Sequence, residues 1–287
     1  MKTSTATRAR GFTLVETMLA VSSLGLIVAL LAGITIDTSR LSGDINAQAT
    51  LQSQTRLQLD IITQDIRSSD AVLASYTPSG GPTYTTDTGS TLILQVPAVS
   101  ADGSSTPATF TTTTQTFAPN AFDVVLYHLV GTSAPYTLNR IVLPSAGSGR
   151  AAVADTAIVF NVQSATFGYQ AVRTLTGNGT RATFSIDPFS TPGQTVTVNG
   201  AALPQVAGSA SVPPGEARFT APSTLTFGTA PTTTDVVDAS YSVSPASAAS
   251  AVTSISVDLA VSSTNGGLRP TTTQTVELTS AANLSNH

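Results

Sequence analysis

The chain has 287 residues, a net charge of −4, two histidines, no tryptophan and no cysteine. The lack of cysteine excludes disulfides, thiol catalysis and thiolate metal sites. Only 10% of the residues are charged, and the cations form no basic run, so the sequence predicts no nucleic-acid partner.

The N-terminal segment predicts one membrane-spanning helix. A basic leader with Arg8 and Arg10 precedes an almost uninterrupted apolar run, residues 12–36. As a helix this run would be about 37 Å long, which is enough to cross a hydrocarbon core of roughly 30 Å. Glu16 is the only charged residue between Arg10 and Asp37. A charge inside a membrane helix costs at least ~2.5 kcal/mol, so we expect Glu16 to have a cationic partner.

Two other interpretations of this end stay open. In the first, the segment is a secretory signal peptide, with a basic region of Lys2, Arg8 and Arg10 and an apolar region of residues 18–32. In the second, it is an ordinary membrane anchor whose Glu16 carboxylate is solvated. In each case the cations stay inside and the remainder of the chain crosses the inner membrane.

The helix is predicted to continue beyond the membrane and to end at residues 68–74, because residues 12–77 contain no proline. A break into two helices at residues 37–43 is the alternative. A partial apolar stripe is expected to face the rest of the protein: Leu41, Ile45, Leu59, Ile62 and Ile66. The predicted fold class is therefore α+β, with the second half of a long N-terminal α-helix packed on an antiparallel β-sheet head.

From Tyr76 onward the composition changes to Thr, Ser, Ala, Gly and Pro with short β-branched runs. Gly177-Asn178-Gly179 predicts a tight turn between two strands. Residues 189–251 are expected to be strands linked by long loops, and no strand order is predicted for residues 187–251. The predicted strands are residues 91–96, 108–117, 122–130, 137–143, 157–162, 165–172, 181–186, 252–261 and 273–278.

The residues from Gly11 to Glu16, with the basic leader and the apolar run, resemble the processing site of type IV prepilins and type II secretion pseudopilins. The resemblance implies that prepilin peptidase cuts between Gly11 and Phe12 and N-methylates Phe12. It also implies that Glu16 serves assembly, by pairing with the α-ammonium of a neighbouring pilin or pseudopilin. Pairing of the two desolvated charges would select a helical register.

Residues further along the chain are similar to the larger minor subunits, the J-type minor pseudopilin and the W-type minor pilin. Asp65-Ile66-Arg67 at the end of the helix, Tyr127 in a strand and Leu138-Asn139-Arg140 in the next strand carry this looser resemblance. The alternative is that Tyr127 and Arg140 form a cross-strand packing pair without a functional role. Unlike many major pilins, the chain lacks a C-terminal cysteine pair and a proline in the apolar run.

The resemblance implies a structural minor subunit of a type II secretion pseudopilus or type IV pilus, held in the inner membrane with its head in the periplasm or on the filament exterior. The alternative is an inner-membrane-anchored binding or adhesion domain without a filament role. The expected divisions are a leader (residues 1–11), a membrane and filament helix (12–36), a periplasmic half-helix (37–75) and a β-rich head (76–287).

The sequence predicts no enzyme, no cofactor and no metal site. His128 lies in a strand pattern and His287 ends the chain, so neither belongs to a histidine cluster. Asp235 with Asp238, and Asp102 before Gly103, have the oxygen ligands that calcium prefers, but neither sequence matches a 12-residue calcium loop.

Overall fold

The structure, a computed structural model, describes residues 13–99, 110–111, 116–117, 122–146, 148–206, 211–220, 223–264 and 273–284. The chain divides into two compact units, Met1–Thr50 and Leu51–His287. Helix α1 contributes residues to both units, and the strands belong to the second.

Helix α1 runs from Leu14 to Ser68 without interruption. The prediction of a single long helix is confirmed, and the alternative break at residues 37–43 is wrong. The helix ends at Ser68, and the next residue bonds back to the last turn. Ser69 donates both its N–H and its Oγ–H to the Ile66 carbonyl oxygen, and a serine hydroxyl that bonds to a helix carbonyl competes with continuation of the helix. Leu59, Ile62 and Ile66 are buried as predicted, whereas Leu41 and Ile45 are exposed.

Seventeen strands are described after α1. In the first part of the chain they are β1 Ala71–Val72, β2 Ser75–Tyr76, β3 Tyr84–Thr85, β4 Thr91–Pro97, β5 Phe110–Thr111, β6 Thr116–Phe117, β7 Phe122–Val130, β8 Tyr136–Leu143 and β9 Val153–Thr176. The others are β10 Thr183–Ser185, β11 Phe189–Val198, β12 Ala201–Ala202, β13 Ala217–Thr220, β14 Thr224–Phe227, β15 Val236–Val243, β16 Ser254–Thr264 and β17 Thr273–Asn283. A short helix α2, Pro245–Ala248, and a 3₁₀ turn, Ala249–Ala251, lie between β15 and β16.

Ten of these strands form one antiparallel sheet, so the α+β prediction of a long helix with a large antiparallel sheet is confirmed. The strand order is β1-β4-β7-β8-β9-β15-β11-β12, and the β16–β17 hairpin branches from β9. A three-stranded sheet β10-β14-β13 and the pairs β2–β3 and β5–β6 complete the described strands.

Strand β9 differs from the prediction because it joins two predicted strands, residues 157–162 and 165–172, into 24 continuous residues. It pairs with β8 in its first part, with β16 in its middle and with β15 at its end. Asn161, with φ +57°, forms an irregularity within the strand.

The turn at Gly177-Asn178-Gly179 is present, but the strands that flank it do not form a hairpin. The Asn178 side-chain oxygen accepts hydrogen bonds from the backbone N–H groups of Thr180 and Arg181. Strand β10 then pairs with β14 and not with β9. Local turn chemistry therefore predicted the bend correctly, whereas strand pairing was decided by contacts distant in sequence.

The main core lies where Leu59, Ile62 and Ile66 of α1 pack with one face of the sheet. The opposite face of β4, β7 and β8 is covered by a smaller apolar cluster that includes Leu126 and Tyr84. Strands β4 and β7 are therefore buried on both faces, which matches their nearly continuous apolar sequences.

Candidate functional site

The carboxylate of Glu16 lies in the first turn of α1 and bonds to its own helix. Its Oε2 accepts hydrogen bonds from the Thr13 backbone N–H at 3.0 Å and from the Thr13 hydroxyl at 3.1 Å. The Thr13 hydroxyl oxygen in turn accepts a hydrogen bond from the Glu16 backbone N–H at 3.2 Å. This reciprocal arrangement is a capping box, which satisfies backbone donors that a helix leaves free at its N-terminus.

The capping box was missed in the sequence, although Thr13-Leu14-Val15-Glu16 has the Thr-x-x-Glu spacing that identifies one. The positive end of the helix dipole also stabilises a carboxylate at this position. Glu16 therefore has intramolecular donors before any partner binds. Gly11 and Phe12 lie outside the described residues, and pairing of Glu16 with an α-ammonium stays a prediction.

Residues 14–43 of α1 expose every side chain, most of them apolar. Leu14, for example, is 76% exposed. Within the described part of the chain, α1 is the one helix whose apolar stretch has the length and composition needed to cross a membrane. Exposing an apolar surface of this size to water costs free energy, which burial in a membrane or against another protein would recover.

A second group of polar side chains lies at the other end of α1, where Asp65, Tyr127 and Arg140 are in contact. Tyr127 in β7 and Arg140 in β8 are direct cross-strand partners. The Asp65 Oδ2 accepts a hydrogen bond from the Tyr127 hydroxyl. It also accepts one from Arg140 Nε at 2.9 Å and lies 2.9 Å from Arg140 Nη2. We call these three residues the Asp65 cluster.

The Asp65 cluster is largely removed from water. Tyr127 is fully buried, and the Asp65 and Arg140 side chains are 11% and 18% exposed. Burial, and then the Asp65 carboxylate, raise the pKa of Tyr127 well above its ordinary value. Burial alone would lower the pKa of Arg140, but Tyr127 and Asp65 outweigh it and raise that pKa. Tyr127 therefore remains a hydrogen-bond donor and Arg140 remains charged.

The sequence placed Tyr127 and Arg140 on consecutive strands, and the structure confirms that they are a cross-strand pair. Asp65 was noted in the sequence only for its place at the end of the helix. Its contact with the pair could not be read from the sequence, because Asp65 is 62 residues from Tyr127 and 75 from Arg140. The cluster connects the last turns of α1 to the centre of the sheet.

A second buried carboxylate, Asp123 in β7, was not singled out in the sequence. Its oxygens accept hydrogen bonds from the Ser145 N–H at 2.8 Å, the Ser148 hydroxyl at 2.9 Å and Arg150 Nε at 2.8 Å. In the sequence, Asp123 is a single carboxylate next to the apolar run of a strand. A carboxylate at such a position is buried only with hydrogen-bond or charge partners, so this pattern indicates that partners exist. Asp123 holds the loop between β8 and β9 against the sheet.

The other residues weighed as metal ligands bind to neighbouring side chains or backbone groups. His128 Nε2 is 3.0 Å from Asp155 Oδ1, which also accepts a hydrogen bond from Asn139 at 2.7 Å. Asp235 accepts a hydrogen bond from the Thr232 N–H and Asp238 one from the Thr174 hydroxyl.

Over the described ranges, no group of three or more His, Cys, Asp or Glu residues is arranged to hold a metal ion. Asp102 and Gly103 lie outside those ranges, as does His287.

No family model, no curated protein and no solved structure matches this chain.

Proposed function

We propose that the chain is a structural minor subunit of a type II secretion pseudopilus or a type IV pilus. In this proposal, prepilin peptidase cuts between Gly11 and Phe12, and methylated Phe12 becomes the start of the helix that polymerises with other pilins or pseudopilins. One observation carries the proposal. The motif at residues 11–16 leads directly into a helix whose residues 14–36 expose a predominantly apolar surface.

The hydrogen bonds of Glu16 support a dual role for its carboxylate. The two bonds from Thr13 both end on Oε2. Each carboxylate oxygen offers about two acceptor positions. Glu16 can therefore keep its cap through Oε2 and receive the α-ammonium of a neighbouring subunit on Oε1. The pair of opposite charges would then be tolerated in an apolar filament core, where a lone charge would be heavily penalised.

The second unit, Leu51–His287, supports a β-rich head, residues 76–287, that is built on the second half of α1. It contains the main core and the Asp65 cluster, in which the last turns of α1 are joined to the sheet by both apolar packing and buried hydrogen bonds. We propose that this head lies in the periplasm or on the exterior of the filament, because the basic leader would stay in the cytoplasm.

Processing at Gly11 tests the proposal. Mass spectrometry of the membrane-extracted protein should give a chain that starts at N-methyl-Phe12. Gly11→Val should block the cut, because a side chain crowds the scissile peptide, whereas the control Gly25→Val in the same apolar run should be processed normally. An intact leader in cells that contain the peptidase would overturn the proposal, and so would a mature start beyond Ala32.

Two substitutions of Glu16 separate its charge from its capping role. Glutamine at this position still completes a capping box, but it cannot pair as an anion. We expect Glu16→Gln and Glu16→Ala both to insert in the membrane and both to fail to join filaments. Normal incorporation of Glu16→Gln would refute charge pairing. An anchored binding domain without a filament role would retain its activity in all of these variants.

A further inference from the structure

The turn after β9 contains Asn178-Gly179-Thr180, which has the spacing of an acceptor for an N-linked sugar: asparagine, any residue except proline, then threonine or serine. Of all the asparagines in the chain, Asn178 and Asn283 are the two that have a threonine or serine two positions later. A tight turn needs the asparagine and the glycine but makes no demand on position 180. Turn chemistry therefore leaves the threonine unexplained.

The turn is exposed to solvent and fixed to the head from beneath. All three residues of the acceptor sequence are exposed. The Gly177 N–H donates to the Asp235 carbonyl oxygen at 3.1 Å, and the Gly179 N–H donates to the Pro231 carbonyl oxygen at 2.8 Å. Gly179 has a φ of +76°, which glycine adopts without strain. These contacts hold the backbone of the turn in one conformation and leave its side chains on the surface.

The amide of Asn178 is oriented with its oxygen toward the turn. Its Oδ1 accepts hydrogen bonds from the Thr180 N–H at 3.1 Å, from the Thr180 hydroxyl at 3.4 Å and from the Arg181 N–H at 2.6 Å. In the part of the chain that the structure describes, no acceptor binds the Asn178 Nδ2. The nitrogen is therefore both exposed and available.

Attachment of a sugar to an asparagine joins the sugar C1 to the amide nitrogen. The bond from C1 to the oxygen of a diphosphate leaving group breaks, the diphosphate leaves with the bonding electrons, and the nitrogen loses one proton, so nothing is oxidised or reduced. Donors on the amide oxygen stabilise the negative charge that gathers there as the proton leaves. The three hydrogen bonds to Asn178 Oδ1 provide this stabilisation.

We propose that Asn178 is the acceptor of an N-linked sugar, which is transferred from a lipid-linked sugar diphosphate at the outer surface of the membrane. The basic leader stays inside, so the head emerges on that side. The membrane-length helix holds the head at the same surface as a lipid-linked donor, which raises the effective concentration of one for the other. The site goes beyond the proposed filament role, because an anchored binding domain would present Asn178 equally well.

Two other asparagines show what distinguishes this site. Asn199 also precedes a glycine, but its Nδ2 donates to the Asp235 Oδ1 at 2.8 Å, and an alanine stands two positions later. Asn283 has the acceptor spacing, but its backbone pairs with β16 and the next residue, Leu284, is buried. Asn178 combines the spacing, an exposed turn and a free amide nitrogen.

Peptide mapping tests the site in the full-length protein, extracted from the membranes of the cells to which the gene is native. Trypsin should release residues 174–181 as one peptide, because Arg173 and Arg181 bound it, and Asn178 is its one asparagine. We expect this peptide to carry the mass of at least one sugar, with fragment ions that locate the sugar on Asn178. A peptide without any sugar would overturn the proposal, and so would conversion of Asn178 to aspartate alone.

Substitutions at position 180 separate sugar attachment from turn formation. Thr180→Val removes the hydroxyl but keeps both backbone N–H donors to Asn178 Oδ1, so the turn should remain and the sugar should be lost. Thr180→Ser retains a hydroxyl and should retain the sugar, as should the control Asn199→Gln. A sugar that persists in Thr180→Val would show attachment without the acceptor spacing and would refute the assignment.

The second acceptor sequence and the leader provide independent comparisons. Cleavage after Glu277 should release residues 278–287 without a sugar on Asn283, and a sugar found there but not on Asn178 would contradict the argument from the exposed turn. Gly11→Val keeps the membrane helix and should carry the same sugar as the unaltered chain. A missing sugar would therefore leave the filament proposal intact, and an uncut leader would leave the sugar site intact.

Discussion

Replacing Asp65 with alanine removes the acceptor at the centre of the Asp65 cluster. The Tyr127 hydroxyl then has no carboxylate to bind, and the Arg140 guanidinium keeps its charge without a counter-charge. The apolar packing of Leu59, Ile62 and Ile66 against the sheet is not altered by this change. The loss in the free energy of unfolding therefore measures the contribution of the buried polar contact itself.

The size of the expected loss in unfolding free energy follows from the burial of the three side chains. Removing one partner of a buried ion pair costs about 3–5 kcal/mol. Arg140 retains 18% exposure, so water can solvate part of the guanidinium, and we expect the lower end of that range. In a domain of this size, about 3 kcal/mol corresponds to a fall in melting temperature of roughly 6–12 °C.

Urea unfolding followed by circular dichroism would measure this loss in a fragment that starts between residues 37 and 41 and omits the membrane segment. Asp60→Ala is the matched control, because Asp60 is exposed on the same helix, and it should change the free energy of unfolding by less than about 0.5 kcal/mol. Tyr127→Phe alone should cost about 1–2 kcal/mol. In the double variant the two losses should not add, since both changes remove the same hydrogen bond.

The reasoning would be refuted if Asp65→Ala unfolded at the same urea concentration as the unaltered fragment. A simple sum of the two single losses in the double variant would also contradict it. In that case the hydrogen bond between Asp65 and Tyr127 would contribute nothing to stability.

Three further predictions concern the head. Ile62→Asp should destabilise the same fragment by about 4 kcal/mol or more, because Ile62 is 0% exposed, whereas Leu57→Asp at a 60% exposed position should have little effect in the same urea assay. Gly177→Ala should lower the melting temperature, because its Cβ would lie 2.0 Å from a carbonyl oxygen of the loop before β15, and Gly89→Ala, whose Cβ meets nothing within 4 Å, should not. Burial would raise the pKa of Asp87, but hydrogen bonds from Ser90, Thr91 and Gly89 lower it overall. The stability that Asp87 contributes should therefore be complete above about pH 5 and be lost as the pH falls through its lowered pKa. Unfolding free energies of Asp87→Asn and of the unaltered fragment should converge in acid, and a constant difference from pH 6 to pH 2 would count against this account.

The sequence alone determined the features that depend on neighbouring residues. A proline-free apolar run predicted α1, and the structure ends the helix at Ser68, within the predicted range. The bounds predicted for β7, residues 122–130, agree with the structure, because alternation and β-branched residues are properties of the strand itself. The motif at residues 11–16 is also local, and it is what makes the proposed processing testable.

The tertiary structure alone decided which distant residues meet. The Asp65 cluster depends on the register of β7 with β8 and on the rotation of α1, and neither is encoded within one segment of the chain. Strand β9 was predicted as two strands, residues 157–162 and 165–172, and its continuity is seen only when β8, β16 and β15 are in place. Pairing contributes free energy only after the chain has closed long loops, so local sequence patterns predict the strands but leave their partners undetermined.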